Sequence, residues 1–588
     1  MYKTASPYVE ELLKGEINWM PFTKKTLETA IKEDKILFIH IGDIARITER
    51  EAAYTLFRTP EIIERINTHF IPIVLDTEDV PEALLIGLDM LIITEQSFSI
   101  PINIFSLPGI KPFTSFSSTD IANFMAVTDN IIYSFANKRG LLEKSSMYMI
   151  ERLINTGIVR YKEPQKEISA KLLHTYVRSW EQKMNDAEEY KRSIPYKMSS
   201  RSFLFLMKYY IRYNMPDKLL DMKNNIDKVF FSCMFDPVEG GFFSKAEDYS
   251  LKAPMFEKSF SENVQAAVMF SFAYKYFGEK KYRIATQRVL NFVENEMKSP
   301  QGGYITCITL NKQINDSTYY RYSLKELKEA FPYRYIKIAQ CLGMKVPANE
   351  NIQQNISNTP NHWMITHEEL KTLKAIRLKK KERLCDNRVI TGYNCMYAAV
   401  LCIISRNMDN NREYISRAEE IISDIRNKQK KGELLLYRYM LSRDEAYMSS
   451  DLFDYAMFLN AVILLYKYTQ KEEYCTLIRQ YTAYILLNFY QHQNGMFSKA
   501  TKSDQITPLK RESVIDYVRF SANSIMARNM QLLYRLTGEQ LYKNIFMQQL
   551  YNVEDHILGS GPLMVGWTLQ ILNYLTDKQP DQSSAFIS

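Results

Sequence analysis

The chain has 588 residues, and its 75 Lys and Arg residues exceed its 67 Asp and Glu residues to give a formal net charge of +8. This length favours more than one domain, because a single hydrophobic core stops growing near ~250–300 residues unless the fold is a large barrel or a repeat. The hydrophobic fraction of 46% and the charged fraction of 24% are ordinary for a globular protein, which excludes a disordered or collagen-like chain.

Several other protein classes are disfavoured. Charged or polar residues interrupt every apolar run before it reaches the roughly 18 residues of a membrane-spanning helix, and the N-terminal segment lacks the pattern of a signal peptide. The seven cysteines are odd in number and contain no C-x-x-C pair, so we expect no disulfide framework, no metal site and a cytoplasmic location. The small charge surplus argues against nucleic acid as a partner.

Strands and helices alternate through residues 1–138. Four short, β-rich apolar runs predict strands, and amphipathic segments between and after them predict helices. The predicted strands cover residues 36–41, 71–75, 102–107 and 113–116, and the predicted helices cover 24–35, 49–57, 61–69 and 119–135. Two strand–helix steps followed by a hairpin and a last helix are typical of a thioredoxin-like domain. Residues 139–164 are predicted to be a linker.

Residues 165–580 predict helices of two alternating kinds. Helices that are apolar nearly all round are predicted at 203–213, 260–277, 394–404, 452–468, 523–536 and 563–575. Helices with a single apolar stripe are predicted at 166–183, 218–233, 281–297, 411–427, 472–490 and 540–556. A helix that is apolar all round is buried and a striped helix lies outside it, so the alternation predicts an (α/α)6 barrel.

Two further features qualify the predicted barrel. Residues 301–388 interrupt the alternation and are predicted to be an insertion, with an extra helix at 324–330 and a polar loop at 349–360, while residues 581–588 form a tail. A helical-repeat solenoid is the alternative architecture for the whole region, although its repeats would show stronger self-similarity.

Eight short motifs occur in order along the chain. They are SPY at 6–8 with WMPF at 19–22, IG at 41–42, IPINIF at 100–105, GGF at 240–242 with PMFEK at 254–258, YRYSLKEL at 320–327, DNRVITGYN at 386–394, FDYA at 453–456 and SANS at 521–524. In this order they resemble the thioredoxin-domain family that includes the spermatogenesis-associated thioredoxin-like proteins. That family joins a thioredoxin-like domain to a six-hairpin, glycosidase-like barrel similar to N-acylglucosamine 2-epimerases. The resemblance therefore implies a multi-domain chain, α/β followed by all-α.

The chain departs from the family where the family has its two cysteines. Arg46 and Glu49 occupy those positions. Pro101 lies where thioredoxin-like folds carry a cis proline, which we expect here to be structural only. We therefore predict a redox-inert domain whose own partner is unknown. The segment that ends at Trp19 is expected to pack against the barrel.

Three carboxylates stand at the starts of predicted inner helices, where they are expected to face a central pocket. Glu257, Asp386 and Asp454 are the candidate catalytic acids, because acid/base chemistry on a sugar uses paired carboxylates. The alternative for each is a helix cap or a salt bridge. The candidate substrate-binding residues on neighbouring positions are Lys258, Tyr393, Asn394, Asp516 and Asn523.

The leading functional hypothesis is a carbohydrate-related protein whose barrel pocket binds a sugar or sugar derivative, with processing in the manner of an epimerase or glycosidase as a further expectation. No cofactor is expected. The alternative is a non-catalytic binding or interaction protein in which both domains are degenerate. A thiol-disulfide oxidoreductase would fit the family but not this chain.

We expect the purified protein not to reduce insulin disulfides. A thiolate is the nucleophile of disulfide exchange, and neither Arg46 nor Glu49 supplies sulfur. The assay follows insulin precipitation in the presence of dithiothreitol. Activity that disappears when one particular cysteine is replaced by serine would reveal a relocated site, and activity that survives replacement of all seven would show that thiols are not involved.

Overall fold

The computed structural model describes residues 4–96, 99–157, 159–164, 167–186, 196–311, 319–344, 364–380, 383–428, 430–431, 434–440, 446–498, 512, 514–517, 519–559 and 561–580. The chain divides into two units. One is built mainly from Met1–Arg160, and the other mainly from Tyr161–Asn311, Asn315–Phe497 and Val514–Ser588. None of the helices in the described ranges combines the length and the apolar character that crossing a membrane requires.

The first unit contains a four-stranded sheet and seven helices among its described residues. In chain order they are α1 (Pro7–Leu12), α2 (Lys24–Glu33), β1 (Ile36–Gly42), α3 (Ile47–Leu56), α4 (Pro60–His69), β2 (Phe70–Asp76), α5 (Pro81–Ile93), β3 (Ile102–Leu107), β4 (Lys111–Phe116), α6 (Ile121–Asn137) and α7 (Arg139–Gly157).

The strand order is β2-β1-β3-β4, with β1 parallel to β2 and antiparallel to β3, and β4 antiparallel to β3. Every residue of β1, β2 and β3 is buried, as expected for strands covered on both faces. The predicted thioredoxin-like fold is confirmed. The Ile100–Pro101 peptide bond that precedes β3 is cis.

The N-terminal segment packs onto the core of this same unit. The Trp19 ring lies edge-on to Phe57 at 5.3 Å between ring centroids and also contacts Phe38. The Tyr8 hydroxyl lies 2.7 Å from His40 Nε2, and burial lowers the pKa of His40 to about 4. The aromatic residues Phe38 and Phe57 therefore hold Trp19 in the first unit, and the expectation that the segment packs against the barrel stays a prediction.

The prediction of a linker over residues 139–164 is wrong for most of that range. Residues 139–157 form α7, which packs against β4 and α5. Its buried apolar side chains include Met149 and Leu153, which lie one turn apart. So narrow a stripe gives only a weak periodic signal in the sequence. The predicted tail at 581–588 lies outside the described residues.

The second unit is mainly helical. Its described elements are α8 (Ala170–Asp186), β5 (Tyr196–Lys197), α9 (Ser200–Arg212), α10 (Pro216–Phe230), β6 (Lys245–Ala246), β7 (Pro254–Met255), β8 (Lys258–Ser259), α11 (Phe260–Phe277), α12 (Lys280–Glu296), β9 (Cys307–Leu310), α13 (Leu324–Ala330), α14 (Tyr335–Cys341), α15 (His367–Leu378), β10 (Arg383–Asp386), α16 (Thr391–Asn407), α17 (Arg412–Lys428), β11 (Lys430–Lys431), β12 (Leu435–Met440), β13 (Ala446–Ser449), α18 (Leu452–Thr469), α19 (Glu472–Asn488), β14 (Tyr490–Gln491), β15 (Met496–Phe497), α20 (Ala522–Thr537), α21 (Gln540–Gly559) and α22 (Val565–Lys578).

Six helices of the described chain close into a ring. Helix α9 packs against α11, α11 against α16, α16 against α18, α18 against α20, α20 against α22, and α22 returns to α9. Helices α8, α10, α12, α17, α19 and α21 pack around them. The predicted (α/α)6 barrel is confirmed, and a solenoid, whose ends do not meet, is excluded for these helices.

Burial along each helix follows its place in the barrel. All fourteen residues of inner helix α18 from Leu452 to Leu465 are buried. Outer helix α19 instead buries one stripe, which includes Tyr474, Leu477 and Tyr481 at steps of three and four residues. The sequence pattern that separates the two classes therefore reflects how many neighbours each helix has.

The barrel also carries short strands that the all-helical prediction misses. Strand β8 precedes α11, β10 precedes α16, and β13 precedes α18. They contain only two to four residues, which is too short for an alternating pattern to stand out. The predicted insertion contains α13, α14 and α15, and α13 covers the predicted residues 324–330. The predicted loop at 349–360 lies outside the described residues.

A buried ion cluster fastens the insertion to the barrel. Asp236 accepts hydrogen bonds from Lys258 Nζ at 2.6 Å and from Arg377 Nη1 at 2.8 Å, and all three side chains are fully buried. Burial alone would raise the pKa of Asp236, but Arg377 and Lys258 together hold it well below its ordinary value. Because Lys258 precedes α11 and Arg377 lies on α15, one carboxylate joins the inner ring to the insertion.

Replacing Asp236 by alanine should lower the free energy of unfolding by about 3–5 kcal/mol, since it leaves Lys258 and Arg377 buried without their shared carboxylate. Urea denaturation followed by circular dichroism measures the change. Glu368→Ala is the matched control, because Glu368 pairs with Lys371 at 2.9 Å on the surface and should hardly affect unfolding. Equal effects of the two substitutions would contradict the role assigned to Asp236.

Candidate functional site

The inner ring encloses a cavity of about 190 Å³. Each of the six inner helices contributes lining residues at steps of three, four or seven positions, which is the spacing of one helix face. Helix α9, for example, contributes Arg201, Leu204 and Lys208. We call this cavity the lumen. It is the candidate ligand site because it is concave and bounded by every inner helix.

The lumen combines side-chain amides with aromatic rings. Its amides come from Gln265, Asn407, Asn460, Gln531, Gln570 and Asn573, and its aromatic rings from Phe272, Tyr468 and Phe520. The side-chain oxygens of Asn407, Gln570 and Asn573 are buried, and no group in the described protein donates a hydrogen bond to them. Three buried acceptors around one cavity, one on α16 and two on α22, are unusual, because buried polar atoms are nearly always paired.

The lumen is also strongly cationic. The basic residues among its lining are Arg201, Lys208, Arg406, Lys467, Arg528 and Arg535. No Asp, Glu or His is present among the described lining residues. Sequence reasoning missed this set. The sequence does contain a signal for it, namely the spacing of basic residues in helices that are otherwise largely apolar. Arg201 and Lys208 are seven residues apart, as are Arg528 and Arg535, and this spacing places both members of a pair on one helix face.

The three predicted catalytic acids do not line the lumen. The carboxylate of Glu257 lies 3.9 Å from Lys245 Nζ. The carboxylate of Asp386 is bound by the side chain of Arg388 at 2.8 Å from Nε and 2.5 Å from Nη2. Each side chain is nearly buried beside its own cation, so the prediction that the acids meet in one pocket is wrong for this cavity.

Asp454 caps a helix rather than facing the lumen. Its carboxylate closes a capping box with Asp451 at the start of α18 and accepts a hydrogen bond from the backbone N–H of Gly392 at 2.7 Å. Burial raises the pKa of Asp454 to about 6, although Arg438 opposes that shift. Acids are favoured in the first helical turn for this structural reason alone.

Asn394 fastens a turn to helix α16. Its Oδ1 accepts the backbone N–H of Tyr304 at 2.9 Å, and its Nδ2 donates to the carbonyl of Tyr304 at 3.2 Å. Tyr304 follows Gly303, whose φ of 73° lies in the left-handed region. An added Cβ at Gly303 would also meet Val389 at 2.4 Å. We call this arrangement an asparagine clamp.

The clamp recurs on two other inner helices. Asn523 on α20 binds the backbone N–H and carbonyl of Phe497 at 2.9 and 3.0 Å. Asn263 on α11 binds those of Phe242 at 2.6 and 3.0 Å. In all three cases both ends of the amide are engaged by the protein. Asn394 and Asn523 therefore hold turns in place, and their role in substrate binding stays a prediction.

The remaining predicted binding residues also have partners within the protein. Lys258 is part of the buried cluster around Asp236. The Tyr393 ring packs edge-on against Phe453 at 5.5 Å. Asp516 joins the starts of three inner helices, and its partners are the backbone N–H of Gly566 at 2.6 Å, the backbone N–H of Ser521 at 2.8 Å and Arg201 Nη1 at 3.2 Å.

The first unit contains no sulfur nucleophile. Arg46 and Glu49 occupy the expected cysteine positions, and Arg46 forms an ion pair with Asp43 at 3.6 Å. All seven cysteines occur in the second unit, and none of them forms a disulfide. Burial raises the pKa of Cys233 and Cys402 to about 12, so these two thiols are poor nucleophiles at neutral pH.

Replacing Asn394 or Asn523 by alanine should destabilise the barrel by about 1–3 kcal/mol, because each substitution leaves a buried backbone N–H and carbonyl without their partners. Chemical denaturation measures the loss. Asn427→Ala on outer helix α17 serves as the control, because that amide donates only to the exposed Ser423 side chain. A destabilisation no larger than that of the control would rule out the clamp.

The chain is similar to several known proteins. Residues 1–154 match the family model described as "Protein of unknown function, DUF255". Spermatogenesis-associated protein 20 of Mus musculus is 22% identical over 353 residues, which are 56% of this chain and 44% of the mouse protein. The Rattus norvegicus protein of that name is 19% identical over 611 residues, 91% of this chain and 75% of its own length. The chain thus spans less than half of the mouse relative.

Solved barrels give weaker matches. Cellobiose 2-epimerase from Spirochaeta thermophila aligns with a TM-score of 0.41 and 12% identity, over 62% of this chain and 75% of its own. A family 76 α-mannanase from Bacteroides thetaiotaomicron gives 0.39 and 11%, over 70% and 93%. The barrel itself is established by its helix packing. The predicted resemblance is confirmed: the chain is similar, from its thioredoxin-like domain into its barrel, to the thioredoxin-domain family that includes the spermatogenesis-associated proteins.

Proposed function

We propose that the barrel binds a sugar or sugar derivative in its lumen. The observation that carries this proposal is the set of buried amide oxygens of Asn407, Gln570 and Asn573, which accept no hydrogen bond from the described protein. Hydroxyl groups are the natural donors for such oxygens. The aromatic rings of Phe272 and Phe520 also line the lumen and could contact the apolar parts of a sugar ring.

Binding without hydrolysis fits the lumen best. Glycoside hydrolysis generally uses two carboxyl groups that flank the scissile bond, and no carboxylate is present among the described lining residues. Glu257, Asp386 and Asp454 have the structural partners described above. The first unit would then act as a non-redox structural or docking module, because Arg46 and Glu49 replace its cysteines.

One observation favours a second candidate, proton transfer as in a sugar epimerase. Burial and the nearby cations lower the pKa of Lys208 to about 7. An amine with that pKa is partly neutral at physiological pH and can accept a proton. Lys208 lines the lumen, so a bound sugar would lie within its reach.

The two candidates separate in one experiment. The full-length protein is screened by thermal shift against neutral and charged monosaccharides and disaccharides, and compounds that bind are then incubated with it in D2O. Binding without deuterium incorporation supports a binding protein. Deuterium at a sugar carbon, lost in Lys208→Met, supports proton transfer.

Asn573→Ala should weaken the affinity of any sugar that binds by about fivefold, because it removes one acceptor worth about 1 kcal/mol. Isothermal titration calorimetry measures the affinity. Asn427→Ala on the outer surface is the matched control and should leave it unchanged. If no sugar stabilises the wild-type protein, or if both substitutions weaken binding equally, the lumen is not a sugar site.

A further inference from the structure

The lumen has more basic residues than the helix dipole can explain. Arg406, Lys467 and Arg535 lie in the last turns of α16, α18 and α20, where cations offset the negative end of the helix dipole. Arg528 lies about two and a half turns before the end of α20, and Lys208 lies one turn before the end of α9. The helix dipole therefore does not account for Arg528 or Lys208.

These cations repel one another inside the ring. Burial lowers the pKa of Arg528 to about 10, and the charges that lower it further belong to Arg201, Arg406 and Arg535. The pKa of Lys208 is lowered by burial and then by cations on three other inner helices, namely Arg406 on α16, Arg528 and Arg535 on α20, and Lys275 on α11. The charges that shift the pKa of Arg528 are thus all cations.

Two of the lining arginines are balanced by carboxylates, and both carboxylates lie outside the set that lines the lumen. Arg201 pairs with Asp516 at 3.2 Å and stacks on Phe520 at 3.9 Å. Arg535 pairs with Asp577. Arg528, in contrast, forms no hydrogen bond or ion pair with the described protein. A guanidinium with five donors thus faces the cavity without a protein acceptor.

We infer that the lumen binds its ligand through a negatively charged oxygen group, a phosphate or a carboxylate, held by Arg528 together with Lys208 and Arg406. Guanidinium groups bind such oxyanions through paired, charge-assisted hydrogen bonds. An anion among these side chains would also relieve their mutual repulsion. The inference rests on the proposed function and narrows it: the ligand is an acidic sugar derivative, such as a sugar phosphate or a uronate.

Protonation of Lys208 should be linked to binding. A bound anion favours the ammonium form and so raises the pKa of Lys208 from its value in the free protein. The protein should therefore take up protons on binding, and the affinity should fall as the pH rises from 6 to 8.5. The charges that lower the pKa of Lys208 belong to Arg406, Arg528, Lys275 and Arg535.

The test compares four probes by isothermal titration calorimetry at pH 6.5: glucose, glucose 6-phosphate, glucuronate and inorganic phosphate. We expect at least one charged sugar to bind at least tenfold more tightly than glucose, and its affinity to decline at pH 8. Arg528→Gln should remove that preference by weakening the affinity for the charged sugar at least tenfold more than the affinity for glucose. Arg479→Gln, an exposed arginine on outer helix α19, is the matched control.

Each outcome decides a separate point. If glucose binds as tightly as both charged sugars, the anion inference fails and sugar binding stands. If inorganic phosphate binds with an Arg528-dependent affinity while no sugar binds, the oxyanion site stands, and both the proposed function and the assignment of an acidic sugar fail. If none of the four probes binds, both fail. Comparing the affinities of glucose 6-phosphate and glucuronate shows whether the site prefers a phosphate or a carboxylate.

A ligand-free measurement guards against a folding defect in the variant. Arg528→Gln removes a repulsive charge, so it should raise the thermal midpoint of the unliganded barrel, and Arg479→Gln should not. If Arg528→Gln proves misfolded by circular dichroism, Lys208→Met takes its place in the same titrations. A lower midpoint in a folded Arg528→Gln protein would show that Arg528 stabilises the barrel, which would overturn the inference.

Discussion

The contact between α22 and α9 is the interaction on which the organisation of the second unit depends. It brings the last inner helix back to the first, so that every inner helix has a neighbour on each side, an outer helix behind it and a shared cavity in front. Each inner helix is thus covered by other helices on three sides and faces only the lumen on the fourth. This constraint explains why fourteen consecutive residues of α18 are buried.

Ring closure also sorts polar residues by their position along the helices. At the starts of the inner helices, side chains such as Asp454, Asn394 and Asp516 satisfy backbone groups of the caps and turns. Farther along, Lys208 and Arg528 face the lumen instead. Free N–H groups at helix starts need acceptors. An acid at such a position therefore has a structural role to fill whether or not it also takes part in a reaction.

The difference between residues that satisfy backbone groups and residues that face the lumen determines how much could be predicted from the sequence. The two kinds of helix and the strands of the first unit follow from hydrophobic periodicity, because burial on one face or on all faces leaves a direct trace in residue type. The role of Asp454 could not be predicted in the same way, because an acid at a helix start has the same sequence signature whether it caps the helix or faces a ligand. The tertiary partners Gly392 and Arg438 decide the matter, and they lie far away in the chain.

The lumen cations show the opposite case, in which a sequence signal exists but is easily overlooked. Arg528 stands in a helix that also contains Arg535, and a pair of arginines there reads as ordinary surface charge. Only the seven-residue spacing indicates that both lie on one face, about 10.5 Å apart along the helix axis. The ring closure then identifies that face as the inner one. Local pattern and global topology are both needed to find the site.

The asparagine clamps have a consequence for how such a barrel can change. Asn263, Asn394 and Asn523 hold the turns through backbone groups alone, so their work does not depend on which side chains line the cavity. Residues such as Arg528 can then be exchanged for acids or apolar groups while the turns keep their shape. The scaffold is thus suited to redesign: its ligand preference could be reversed in charge by altering a few inward positions, with the clamps left intact.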